Sequence, residues 1–362
     1  MKKKRQTIIF TGGHYNSALE VAKLARKRGC KIVWLGHKYN LSNPKIISNE
    51  YREVKREGIL FEHLTTGRFY KKISIKQIFL IFYGFIQSIY YLIKHKPDLI
   101  YSSGGFMAVP VIVSGYFMGI PGVTHEQTVI SGWANKAISP FVKRIFLTYK
   151  DIYNQYPKQK TSLVGLPLNS FLTVHGRSKK KHKKTIFVTT GKQGSSIINS
   201  AFFPLVNDLI EGNYQVVHQI GSDRKTKPNI QAHKIKSKLG KKSINYIYSD
   251  YFFAKDQARY LQQADLVVSR SGAHTVYELV SLNKNAILIP IPWVSHQEQL
   301  KNALYAQKEI GCTVMNEVDL TPENLYKQVK HSLSKNTQKL PKAIKNNAAE
   351  KILTELEDMG LL

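Results

Sequence analysis

SRSGAHTVYE, residues 269–278, follows the apolar run ADLVV and leads into LVSLNK. A strand that ends in Ser, Gly and Ala and passes straight into a helix leaves the first N–H groups of that helix without backbone partners. The small side chains let an anion approach, and the partial positive charge of the helix N-terminus favours it. The turn at Ser271, Gly272 and Ala273 therefore reads as a phosphate seat. Glu278, between one and two turns further on, is placed to accept hydrogen bonds from the ribose of the same nucleotide. A surface carboxylate on an ordinary helix is the plainer reading of that residue, and the rest of the chain has to decide between the two.

The same strand, turn and helix succession recurs along the chain. TIIF passes through TGGHYN into SALEVAKLARKRG and on to KIVWLG, which is a βαβ unit. DLIY, SSGGF, the proline-initiated PVIVSGYFMG and PGVTHEQ form another. The second half restarts with TIFVTT, GKQGS and SIINSAFFPLVNDLI, and continues through YQVVHQIG, INYIYS, ADLVVSR and NAILIPIP. Between the halves HGRSKKKHKK has no apolar periodicity and the composition of a linker. The expected architecture is α/β, two doubly wound Rossmann-like domains facing a cleft at the carboxyl ends of their sheets. The first domain is expected over residues 1–170, the basic linker over 171–184 and the second domain over 185–340. A helix in 341–362 is expected to return to the first.

With 362 residues and a hydrophobic content of 43%, the chain can fill two cores. Lys and Arg number 54 against 24 Asp and Glu, a net charge of +30 that favours polyanionic partners. The lysines are dispersed and form no nucleic-acid-binding module, so a basic nucleic-acid-binding protein is the non-enzymatic alternative and no specific nucleic acid is expected. Cys30 and Cys312 have neither metal-ligand nor disulfide-framework spacing, so free thiols and no metal site are expected. The start MKKKRQTIIF holds too brief an apolar run for a signal peptide or anchor. Residues 78–93, IFLIFYGFIQSIYYLI, approach membrane-spanning length but contain Gly84, Gln87 and Ser88 between lysine-rich flanks. Such a segment is either a buried helix of the first domain or one lying on a membrane surface.

Other turns carry candidate chemistry. In TGGH, Gly12 and Gly13 bring backbone close to a ligand and His14 has the basicity of a general base for a sugar hydroxyl. THEQ, residues 124–127, ends an apolar strand with a run of polar groups that suits a site. TTGKQGS offers Lys192 to a phosphate. HQEQLKNA places Glu298, Gln299 and Asn302 at a helix start, where amides match sugar hydroxyls without the desolvation cost of charge.

In order and spacing TGGH, SSGGF, GIPGVTHEQ, VGLP, TTGKQGS, ADLVVSRSGAHTVYE and QLKNA resemble the family of MurG, the bacterial peptidoglycan N-acetylglucosaminyltransferase, over about residues 7–333. The resemblance implies the GT-B glycosyltransferase fold, with an acceptor-binding first domain and a donor-binding second. It implies inverting transfer of GlcNAc from UDP-GlcNAc to the C4 hydroxyl of undecaprenyl-pyrophosphoryl-MurNAc-pentapeptide, forming lipid II, with no cofactor or metal. By this likeness Ser271, Gly272, Ala273 and Thr275 cradle the diphosphate and Glu278 holds the ribose, with His274 among the substrate-binding residues. Glu298 and Gln299 meet GlcNAc, and uracil meets backbone near Ala254. Thr11, Gly12 and Gly13 shape the acceptor side, with Gln127, Thr128 and Asn169. His14, His125 and Glu126 stay open as the group that removes the proton. The anionic inner leaflet of the cell membrane is the implied surface, and its cytoplasmic face the implied location.

The chain departs from the family pattern at Phe10, where glycine is usual, and at Thr128, where Asn is expected. Lys192 stands for the Ser of GGSQG, Asn169 for an Arg, and His274 for an apolar residue. A divergent UDP-sugar glycosyltransferase acting on another lipid-linked acceptor is the enzymatic alternative. A UDP-sugar epimerase shares the implied fold, but its Thr-Arg-Pro-Glu-like loop is absent from the sequence.

Overall fold

The runs TIIFT and TIFVT are buried at every residue, as central strands of parallel sheets covered on both faces must be. They are β1 (Thr7–Thr11) and β8 (Thr185–Thr189) of a computed structural model that describes residues 5–39, 46–67, 74–172, 183–189, 194–223, 225–294, 297–334 and 347–362. Around β1 lie β2 (Lys31–Gly36), β3 (Leu60–His63), β4 (Leu99–Ser102), β5 (Gly122–Glu126), β6 (Arg144–Leu147) and β7 (Thr161–Leu163), in the order β3-β2-β1-β4-β5-β6-β7. Around β8 lie β9 (Gln215–Gln219), β10 (Tyr246–Ser249), β11 (Leu266–Ser269), β12 (Ala286–Leu288) and β13 (Thr313–Val314), in the order β10-β9-β8-β11-β12-β13. All pairings are parallel.

Both sheets reverse their winding beside the first strand, between β1 and β4 and between β8 and β11. Ligands of doubly wound sheets bind beyond the strand ends at such a switch point. TGGH follows β1 and SRSGA follows β11, so each turn sits at the switch point of its own sheet.

The chain forms two compact units, Met1–Asn169 with Asn346–Leu362, and Ser170–Lys345. The basic segment expected as a linker lies largely outside the described residues. Helix Ala348–Asp358 belongs to the first unit, where Ile352, Leu353 and Leu356 are buried in one cluster with Ala18, Ala22 and Ala25 of helix Tyr15–Lys27. Arg28 pairs with Glu357 at 2.8 Å and with Glu350, and Arg144 with Glu355 at 2.8 Å. These half-exposed pairs fix direction more than they stabilise; the buried aliphatic stripe supplies the larger part.

Helix Ile75–His95 starts at Ser74, whose hydroxyl accepts from the N–H of Gln77. Only Gly84, Ser88 and Leu92 are buried, one narrow stripe at helical spacing. A Cβ at Gly84 would stand 2.6 Å from Thr66, so glycine is what lets the helix lie this close. The reading of this segment as a core helix is therefore corrected: Phe79 is 71% exposed and Phe82 67%, with Ile78, Ile86, Tyr90 and Ile93 also in solvent. The small-residue stripe supplies the contact and leaves the large apolar residues outside. Its 21 residues are also long and apolar enough to cross a membrane by length and composition. Helix Ala108–Phe117 packs beside it and ends in exposed Tyr116 and Phe117, whose rings meet Phe141.

Candidate active site

In the second unit the backbone leaves β11 and enters helix Ala273–Ser281 with Gly272 as an extended cap residue and no side chain capping the helix. Nothing lies within 4 Å of a Cβ built on Gly272. The fold itself has no steric need for glycine there, and the open space fits a ligand at the uncapped N–H groups.

Behind the turn stands helix Glu298–Ile310. The Ser271 hydroxyl donates to the Gln299 carbonyl at 2.7 Å, Asn302 Nδ2 donates to the Ser271 carbonyl at 3.1 Å, and Gln299 Oε1 accepts from the N–H of Ile291 at 3.1 Å. Ser271 and Asn302 are fully buried and hold the turn in place, while the Oδ1 of Asn302 is closed to solvent and has no partner. Gln299 has its oxygen engaged and keeps its amide nitrogen for other partners. Glu298 is half-buried at the first position of its helix, and Ala254 opens helix Ala254–Gln263 after Phe253. Thr275 is half-buried in the first turn after Gly272. Lys192 lies outside the described residues.

Glu278 is not a surface carboxylate. It is 4% exposed, its Oε1 lies 3.2 Å from His274 Nε2, and its Oε2 has no partner. A buried acceptor without a donor is costly and marks a place that a ligand can complete.

Arg270 escaped the sequence reading. Its guanidinium, with a side chain 12% exposed, donates to the Ser195 hydroxyl at 2.9 Å and to the Ile289 carbonyl at 3.1 Å, and pairs with Glu317 at 2.6 Å. Ser195 in turn caps helix Ser196–Phe202. Burial pushes the guanidinium pKa down while Glu317 opposes the shift. The signal was an arginine set among small residues at a strand end; its partners lie too far along the chain to be read from sequence.

In the first unit two glycine-rich turns touch. Gly12 has a φ of +125°, and a Cβ there would stand 2.6 Å from the Gly104 carbonyl, while Gly13 N–H donates to that carbonyl at 2.8 Å. Thr11 is fully buried, whereas Gly13 and His14 are exposed at the start of helix Tyr15–Lys27.

The polar run after β5 differs from its expectation. His125 is fully buried, with Nε2 3.0 Å from the Gly165 carbonyl and 3.1 Å from the Thr148 hydroxyl. Burial pushes its pKa down to about 3; the Gly165 carbonyl opposes this and the nearby His14 adds to it. Glu126, 2% exposed, accepts from the N–H groups of Gln127 (3.0 Å), Thr128 (3.3 Å) and Gly132 (2.7 Å). It accepts also from Thr128 Oγ1 (3.0 Å), Asn135 Nδ2 (3.1 Å) and the Tyr156 hydroxyl (2.8 Å). Burial first, and the carboxylate beside it, keep that phenol protonated. A carboxylate so fully subscribed has no lone pair left for an incoming proton donor. His125 keeps an Nδ1 without a partner, closed to solvent.

The network continues. Asn135 Oδ1 accepts from the Thr124 hydroxyl at 2.7 Å, and a Cβ on Gly104 would meet Asn135 Nδ2 at 2.8 Å, so Glu126 supports the second glycine turn from beneath. Gln127, Thr128 and Asn169 are buried with it. Among the described residues no three His, Cys, Asp or Glu side chains gather to hold a metal ion.

Residues 7–147 match the glycosyltransferase family 28 N-terminal domain and residues 185–356 the family 28 C-terminal domain. The chain belongs to glycosyltransferase family 28. A curated relative of this glycosyltransferase, from Clostridium perfringens, is 29% identical over 357 residues, covering 94% of each chain. It is named UDP-N-acetylglucosamine--N-acetylmuramyl-(pentapeptide) pyrophosphoryl-undecaprenol N-acetylglucosamine transferase. A Bacillus cereus protein of that name, numbered 2, is 27% identical over 98% of this chain and 99% of its own. Among solved structures, Acinetobacter baumannii MurG superposes with a TM-score of 0.67 at 20% identity, over 98% of this chain and 100% of its own. A putative UDP-N-acetylglucosamine 2-epimerase from Listeria monocytogenes also reaches 0.67, at 11% identity over 98% and 97%. The fold is GT-B, and fold alone does not separate transferase from epimerase. The family 28 matches and the full-length transferase relatives do.

Proposed function

We infer that this chain is a UDP-GlcNAc-dependent transferase that converts lipid I to lipid II. The acceptor is undecaprenyl-pyrophosphoryl-MurNAc-pentapeptide, whose C4 hydroxyl attacks the anomeric carbon of GlcNAc. The new C–O bond forms as the bond to the UDP oxygen breaks, the configuration inverts and a general base takes the hydroxyl proton. Support for the reaction comes from transferase relatives that match over nearly the whole chain.

The donor reading rests on one observation above the others: an uncapped helix start with open space at Gly272, followed by a buried carboxylate with an unpartnered oxygen. The backbone of Gly272, Ala273, His274 and Thr275 receives the diphosphate and stabilises the charge that develops as UDP leaves. Glu278 receives ribose hydroxyls, backbone near Ala254 meets uracil, and Glu298 with the amide nitrogen of Gln299 meets the sugar. Thr11, Gly12, Gly13 and Asn169 belong to the acceptor side.

His14 is the general base in this reading. It alone of the three candidates is exposed, on the turn at the switch point of its sheet. The transferase acts as a peripheral protein on the cytoplasmic face of the cell membrane. The apolar face of helix Ile75–His95 enters the interface, and each lysine near an anionic leaflet contributes about 1 kcal/mol.

Purified protein incubated with UDP-GlcNAc and a lipid I analogue is expected to release UDP and form the disaccharide. His14→Ala and Glu278→Ala each lower the rate by about 100-fold or more, the range of a lost general base or substrate contact. UDP-GlcNAc consumed without acceptor, or no transfer at all, would overturn the assignment.

A further inference from the structure

The guanidinium of Arg270 joins groups that follow four neighbouring strands of the second sheet. Arg270 itself leaves β11. Its Nη2 donates to the hydroxyl of Ser195 beyond β8 at 2.9 Å, while Nη1 donates to the carbonyl of Ile289 beyond β12 at 3.1 Å and pairs with Glu317 beyond β13 at 2.6 Å. The bond to Ser195 spans the switch point, because β8 and β11 are the neighbours between which the winding reverses. The turn that carries Ser195 is also fixed against the exit of β9: Gly194 has a φ of +86°, and a Cβ there would stand 2.8 Å from the Cα of Gly221. Ser195 Oγ accepts from Arg270 and from the Ile198 N–H at 3.4 Å, so one hydroxyl caps helix Ser196–Phe202 and ties it to the strand end that leads into Ser271. The Glu317 carboxylate balances the guanidinium charge, which leaves geometry rather than net field as what the arginine supplies.

We propose that Arg270 is a positioning residue for the donor diphosphate: it sets the spacing between the turns after β8 and β11, and so fixes the direction of the N–H groups that open helix Ala273–Ser281. This rests on the donor-site reading above and adds to it a residue that acts through the backbone rather than by contact. Backbone donors stabilise a developing charge well only when they are aimed before it arrives. The turn at Ser271 is held by helix Glu298–Ile310 through Ser271 and Asn302, and by Arg270 through the strand ends beside it. A lysine ammonium is a point charge on a flexible stem and does not hold Ser195, Ile289 and Glu317 in one fixed fork.

Titration calorimetry with UDP and UMP tests this on the full chain. Wild type is expected to prefer UDP by about 30-fold, in line with charge-assisted hydrogen bonds to a second phosphate. Arg270→Lys keeps the charge and loses the fork; Ser195→Ala cuts the link across the switch point and keeps the Glu317 pair. Each should lower the preference to less than about 5-fold, with UMP affinity within about threefold of wild type. Ser195→Thr, which keeps a hydroxyl for Arg270, should return the preference to within about twofold of wild type. A lower folded fraction weakens both ligands equally and leaves their ratio alone, so loss of stability does not imitate the effect. If Arg270→Lys does not fold, Ser195→Ala and its Ser195→Thr rescue decide. A wild-type ratio in Arg270→Lys or Ser195→Ala, or equal weakening of both ligands, would overturn the positioning role while leaving the donor site standing. Wild type that binds no UDP would overturn the donor-site reading and this inference together.

Discussion

Glu126→Gln separates a supporting carboxylate from a catalytic one. The substitution exchanges one carboxylate oxygen for NH2 at nearly constant volume. With the amide turned one way, Gln127 N–H, Thr128 N–H and the Thr128 hydroxyl face a donor; turned the other way, Gly132 N–H, Asn135 Nδ2 and the Tyr156 hydroxyl do. The hydroxyls can rotate, but each arrangement strands at least one backbone N–H in a buried site. Hydrogen bonds to a charged group contribute about 1.5–3 kcal/mol each and a stranded buried donor costs about 1–3, so the loss is about 3–6 kcal/mol. Against a domain stability of about 5–15 kcal/mol this is a large fraction. Urea unfolding followed by the fluorescence of Trp34, buried in the first unit, should show a much lower midpoint. UDP binding by the second unit should stay within about twofold, because additivity holds for sites without shared partners. A variant with the wild-type midpoint and no transferase activity would refute this and return Glu126 to the list of bases.

Gly272→Val tests the open seat: with nothing within 4 Å of its Cβ the fold should lose less than about 1 kcal/mol by thermal unfolding, yet UDP binding should fall by about 100-fold as the seat is filled. Acid should weaken both units through buried neutral histidines. Burial pushes His125 and His218 from 6.5 down to about 3, so the unfolded chain binds more protons between those values and stability drops as pH falls through that window. Each contributes up to about 1.4 kcal/mol per pH unit, and His218→Gln should flatten the dependence measured by urea titrations of the second unit at pH 4 to 7. Phe82→Glu, on the exposed apolar face of helix Ile75–His95, should lower binding to anionic vesicles by about 10-fold or more while UDP affinity holds. Unchanged vesicle sedimentation would remove that face from the membrane contact.

The parallel sheets were legible because buried strands announce themselves as short apolar runs ended by Gly and Ser, and β1, β8 and β11 follow that pattern residue by residue. The uncapped helix start at Gly272 was legible for the same local reason. What sequence did not reveal were the long-range commitments of polar groups. Ser271 looked available until helix Glu298–Ile310 was found holding its hydroxyl, and THEQ looked like a lining until Gly132, Asn135 and Tyr156 were found converging on Glu126. In the Ile75–His95 helix, apolar composition served a core and a surface equally well. The small residues Gly84 and Ser88, with Leu92, decided which face touches protein.

Helix Ala348–Asp358 completes the hydrophobic centre built around β1, although most of the polypeptide lies between them. During synthesis the second unit can therefore close its own centre while the first still waits for its last piece to leave the ribosome. A chain cut before residue 348 would keep a finished second unit and leave a permanent greasy notch beside Ala18, Ala22 and Ala25, open to chaperones and proteases.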